Sequence, residues 1–123
     1  MSGHRITADL LKADTALLDP GDTGKLRAED WVNVFELVSA GTEARTLANP
    51  VKSGQILIIT LKTHGGTLTI TADTGYNKDG DTTLAFDAAL ETILLVSVPN
   101  GTSGYRWSSL GVVSGTEDAP TFG

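Results

Sequence analysis

Gln55-Ile56-Leu57-Ile58-Ile59-Thr60-Leu61-Lys62, then Thr63-His64-Gly65-Gly66, then Thr67-Leu68-Thr69-Ile70-Thr71, is the stretch that decides the fold class. The first run is the most apolar in the chain and reads as a central strand. The second alternates, with Leu68 and Ile70 on one side and Thr67, Thr69 and Thr71 on the other. Two such runs separated by a glycine turn predict a β-hairpin. Working outward, Trp31–Val38 is aromatic and β-branched, interrupted by polar Asn33 and Glu36. Glu43–Leu47 reads as a short polar strand, closed by Ala48-Asn49-Pro50. Thr82–Phe86, Glu91–Val98 and Tyr105–Val113 follow, the last broken at Gly111. Turn clusters at 75–81 and at Pro99-Asn100-Gly101-Thr102-Ser103-Gly104 separate them. Six or seven short strands at near-regular spacing predict an all-β fold. The expected form is a compact antiparallel β-sandwich or small barrel, jelly-roll-like, with an extended N-terminal arm.

The chain has 123 residues, 40% of them hydrophobic and 20% charged, which suits one globular domain and leaves no room for a second core. It has no cysteine, so disulfides, thiolate nucleophiles and Cys-ligated zinc are excluded. A formal net charge of −6, with the nine basic residues scattered, argues against nucleic acid as a partner. No apolar run approaches the roughly 20 residues that a helical membrane span needs. Met1-Ser2-Gly3-His4-Arg5, followed by regular Asp and Lys, does not read as a signal peptide.

Residues 1–30 lack strand alternation and are read as an N-terminal arm, residues 31–113 as the β domain and residues 114–123 as a C-terminal tail. Within the arm, Leu10, Leu11, Leu17 and Leu18 fall seven apart, as on one face of a short helix. Asp19-Pro20-Gly21-Asp22-Thr23-Gly24 breaks any helix. Exposed leucines on an arm bury little unless they dock on something else. The four leucines are therefore the candidate contacts with a partner or a neighbouring subunit. Trp31, Val34 and Phe35 are expected to begin the core.

The candidate chemical sites are weak. Asp73, Asn77, Asp79 and Asp81 offer oxygen ligands for calcium, but Gly75 takes one ligand place and no Glu stands at the closing offset. Asn-Lys-Asp-Gly-Asp is equally the chemistry of a turn, and that reading outweighs calcium. His4 and His64 are the only imidazoles, one in the arm and one beside two glycines at a turn tip. Neither suits a Ser-His-Asp site, and two histidines sixty positions apart do not make a zinc site. Asp87 and Glu91 are acids that glycoside hydrolysis could use, but fifteen acids yield such pairs by chance. Gly101-Thr102-Ser103-Gly104 lacks the Gly-Lys-Ser/Thr ending of a phosphate loop. Trp107, with Tyr105, is either a sugar-stacking platform or a core residue, and burial energetics favour the core. No catalytic, cofactor or metal residue is assigned, and no enzyme activity is expected.

The β region nevertheless carries a recognisable order. Arg45-Thr46-Leu47-Ala48-Asn49-Pro50-Val51-Lys52-Ser53-Gly54-Gln55 runs into an apolar strand. Gly66–Thr71, a Tyr-Asn-x-x-Gly-Asp-Thr-Thr loop at 76–83, Phe86-Asp87, the apolar strand Thr92–Val98 and Arg106-Trp107 follow. Over residues 43–113 this order resembles the small β-rich proteins that decorate, or cement, the heads of tailed bacteriophages. The resemblance implies a homotrimer on the outer surface of the virion, bound to the major capsid protein through an N-terminal arm. It implies no catalytic residue and no cofactor. Deleting residues 2–24 is then expected to abolish attachment and leave the β domain folded. A head-fibre base or tail component, and a carbohydrate-binding module using Tyr105, Trp107 and the 73–81 loop, are the alternative readings.

Overall fold

The computed structural model describes residues 16–109 and 118–123. Among these the chain is all-β: β1 (Lys25–Leu26), β2 (Val32–Ser39), β3 (Glu43–Leu47), β4 (Ile56–His64), β5 (Leu68–Ala72), β6 (Thr83–Phe86), β7 (Thr92–Pro99), β8 (Tyr105–Ser109) and β9 (Thr121–Phe122). They form a five-stranded sheet, β1-β3-β5-β6-β9, and a four-stranded sheet, β2-β4-β7-β8. The inward residues of both sheets share one core, so the fold is a β-sandwich and not a closed barrel.

Period-two burial builds that core. Phe35 and Leu37 on β2, Leu57, Ile59 and Leu61 on β4, and Ile93 and Leu95 on β7 are buried while their neighbours face out. The five-stranded sheet answers with Leu26, Leu47, Leu68, Ile70, Leu84 and Phe86. Each such side chain contributes about 2 kcal/mol of burial. As expected, Gln55–Lys62 supplies the central strand, since β4 lies between β2 and β7.

The sheets are mixed rather than antiparallel. β2 and β4 pair in parallel, and so do β1 with β3 and β3 with β5; the pairs β4–β7, β7–β8, β5–β6 and β6–β9 are antiparallel. The chain therefore winds as a coil: β2 in one sheet leads to β3 in the other, and β4 and β5 repeat that path one rung on. An earlier rung begins with Leu17, which bridges Phe35 in parallel, and ends with β1.

This winding overturns the hairpin expected at Gly65-Gly66, because β4 and β5 belong to different sheets. A tight two-residue hairpin uses positive φ, and neither glycine has it. Their role is close approach. A Cβ on Gly66 would stand 2.4 Å from the Gly41 carbonyl carbon, and one on Gly65 would stand 2.5 Å from the Ser39 carbonyl oxygen. The turn after β4 lies directly on the turn after β2, locked by Ser39 Oγ donating to the Gly66 carbonyl at 2.7 Å.

Residues 16–30 run along the sandwich, and Leu17 and Leu18, the described end of the helix expected over Leu10–Leu18, are not helical. Thr23 N–H donates to the Ala44 carbonyl at 2.7 Å and Thr46 N–H to the Gly24 carbonyl at 3.0 Å. Leu17 packs against the core. Leu17, Thr23 and Gly24 are hydrogen-bonded to the sandwich, so removing residues 2–24 would strip the part of this rung before β1 and is expected to cost the β domain stability. Leu10 and Leu11 lie outside the described residues. At the other end, β9 pairs with β6, and the Gly123 carbonyl accepts the Thr83 N–H at 3.0 Å.

Candidate interaction surfaces

The polar groups that looked most like chemistry are spent on holding turns. In the 73–81 loop, the Asn77 Oδ1 accepts the N–H of Asp79 at 3.1 Å and of Asp81 at 3.2 Å. Its Nδ2 donates to Asp81 Oδ2 at 2.9 Å. Gly75 and Gly80 supply the positive φ that the loop's reversal requires. Below it, the buried Tyr76 hydroxyl donates to the Ile70 carbonyl at 3.1 Å, and burial pushes its pKa far above the ordinary phenol value. Among the described residues no group of three or more His, Asp or Glu side chains gathers as a metal site.

His64 ends β4 on the exposed surface. Glu91 Oε1 accepts the Asp87 N–H at 2.7 Å, and Asp87 Oδ1 accepts the Thr67 hydroxyl at 3.1 Å, so both acids fasten turns. Trp107 is fully buried and donates its indole N–H to the Ala48 carbonyl at 2.9 Å. It is a core residue, and the sugar platform built on it has no exposed ring. The expected core start is corrected as well. Phe35 is buried, Val34 faces outward, and Trp31 is 58% exposed with the Lys52 ammonium 3.9 Å above its ring.

Arg45 is the feature that sequence reading missed. It points inward from β3 with a side chain fully removed from solvent. Nε donates to Asp19 Oδ1 at 3.0 Å and Nη2 to Asp19 Oδ2 at 3.2 Å, while Nη1 lies 3.0 Å from Glu43 Oε1. The Val38 and Ala44 carbonyls accept further bonds, so the guanidinium ties the first rung to both sheets. Burial works against both charges. Their hydrogen bonds outweigh it: Arg45 with the Gly21 and Val38 N–H groups holds Asp19 below its ordinary value, and Asp19 with Glu43 holds Arg45 above its own. Only the isolated position of an Arg in a short strand signalled this, and a solvated residue looks the same in sequence.

What the molecule offers to a partner is surface. The outer face of the four-stranded sheet carries Val32, Ile56 and Val96 in one cross-strand row and Val34, Ile58 and Leu94 in the next. The outer face of the five-stranded sheet, at equivalent positions, carries Lys25, Thr46, Thr71 and Thr83 in one row, with Thr69 and Ala85 in the other. Both solutions satisfy β propensity, since Val, Ile and Thr are all branched at Cβ. They differ in what they leave facing water.

A third surface lies at the first rung. An open groove of about 200 Å³ is lined by Leu17, Leu18, Lys25, Arg27, Glu29 and Phe35. Of the two candidate contact leucines described, Leu17 belongs to the core margin and Leu18 is 88% exposed. Comparison with protein-family models, with curated proteins and with solved structures finds no match to this chain.

Proposed function

We propose that this chain is a non-enzymatic structural protein of a tailed-bacteriophage virion, which decorates and stabilises the capsid by binding its outer surface as a homotrimer. The observation that carries the reading is the distribution of apolar surface: aliphatic side chains lie in register on one outer sheet face, and Leu18 stands exposed at the rim of the first-rung groove. A coil of hydrogen-bonded rungs closed by the Arg45 clamp is a rigid body suited to spreading load across such contacts. The major capsid protein is the partner assigned to the Leu18 end. Repetition of weak contacts over a shell supplies avidity without a deep site.

Co-sedimentation of the protein with heads of the virus that encodes it, compact and expanded, tests the reading. Saturable binding to expanded heads, weakened at least tenfold by Leu18→Asp with the melting temperature unchanged, is the expected result. No binding of the parent protein to either form overturns capsid decoration and directs attention to a tail or head-fibre position.

A further inference from the structure

We infer that the outer face of the four-stranded sheet is where copies of this chain meet, the occupant being a second copy of the same protein. The inference rests on the structural-protein reading above and assigns a surface to self-assembly, separate from the Leu18 end assigned to the capsid.

The contrast between the two outer faces is the first argument. Where a sheet face meets water, the five-stranded sheet uses threonine, alanine and Lys25. The four-stranded sheet uses Val, Ile and Leu at the same kind of position, with Val32 51% and Ile56 37% exposed. Single exposed aliphatics are ordinary, but a contiguous patch spanning three strands marks an interaction surface.

Area is the second. Three strands at about 4.8 Å spacing and five residues at about 3.4 Å rise cover roughly 250 Å² of sheet. This is about a third of the roughly 800 Å² per partner that a standard interface buries, enough for its charge-poor centre with a more polar rim around it.

Charge is the third. The chain carries a net −6, so two copies repel on average. On this face the outward charged side chains are Glu36, Lys62 and Arg106, two cations to one anion. Two acidic molecules can therefore approach through it without facing their acid excess.

The test is sedimentation equilibrium with single substitutions. The parent protein is expected to be oligomeric at about 100 µM, Ile58→Lys monomeric with a native β spectrum, and Thr69→Lys, on the opposite sheet, oligomeric. Because the chain has no cysteine, Val32→Cys provides an independent readout. Its maleimide labelling should slow at least tenfold as the oligomer forms and recover on dilution, while Thr71→Cys labels fast throughout. A monomeric parent overturns the inference, whether Val32→Cys labels fast or is shielded at every dilution by the chain's own residues. Head co-sedimentation is read separately. Binding by a monomeric protein leaves capsid decoration standing without this interface, and an oligomer that ignores heads does the reverse.

Discussion

Arg45 Nε donates to Asp19 Oδ1 at 3.0 Å across 26 residues of sequence, joining the first rung of the coil to the inner face of β3. Asp19 also accepts the Gly21 N–H at 2.9 Å and the Val38 N–H at 2.9 Å. One carboxylate thus closes its own turn, satisfies β2 and neutralises a buried cation.

Replacing it should be costly. Asp19→Ala leaves a buried guanidinium with Glu43 as its remaining acidic partner and orphans the Val38 N–H. A loss of about 3 kcal/mol is expected, on the scale of breaking a buried ion pair. Urea denaturation of the two proteins measures it.

The same clamp imposes a pH dependence. Asp19 is more acidic in the folded protein than its ordinary value of 3.8, so the unfolded chain takes up this proton first as pH falls. Its contribution is complete above about pH 5 and is lost as pH drops through the lower folded value. The stability gap between the parent and Asp19→Asn should therefore be flat from about pH 5 to 7 and narrow below about pH 4. Urea midpoints across that range decide it, and a gap independent of pH would contradict the clamp.

Gly66→Ala tests the stacked turns. Its Cβ would meet the backbone of Gly41 at 2.4 Å and of Thr42 at 2.6 Å, atoms that cannot rotate away. A destabilisation of about 2–3 kcal/mol follows from overpacking. Gly101→Ala makes a useful contrast, because nothing lies within 4 Å of the Cβ there and its cost is confined to the positive φ. Thermal melts of the pair separate steric crowding from backbone strain.

Trp107→Phe should act on stability rather than on any ligand. It removes the donor to the Ala48 carbonyl and leaves space in a filled core. A cost of about 2–3 kcal/mol is expected from the lost bond and packing. Glycan-array binding by the parent protein that vanished in a fully folded Trp107→Phe would be inconsistent with this buried role.

Alternation was enough to find β2 to β8, while β1 and β9 lie in segments read as an arm and a tail. β3 is where the short polar run Glu43–Leu47 placed it, β4 is central, and the all-β class follows from local pattern because a pleated strand turns successive side chains to opposite faces. Asn77 was likewise legible as turn chemistry, since an Asx side chain reaches its own backbone two residues on.

Pairing partners were decided only in three dimensions. Strand–Gly-Gly–strand fits a hairpin within one sheet and a crossing between two, and the Gly65–Gly66 turn resolves to a crossing because it lies on another turn. Leu17, Asp19 and Lys25 gave no strand pattern, because their partners Phe35, Arg45 and Thr46 lie far along the chain. Trp31 and Trp107 are the same residue type in similar local settings, one exposed and one buried. Local sequence determined which residues form β2 to β8 and which of their faces are apolar. Which apolar face is buried between the sheets and which is left for a partner was settled by the tertiary fold, because burial depends on neighbours that the periodicity of a single strand does not specify.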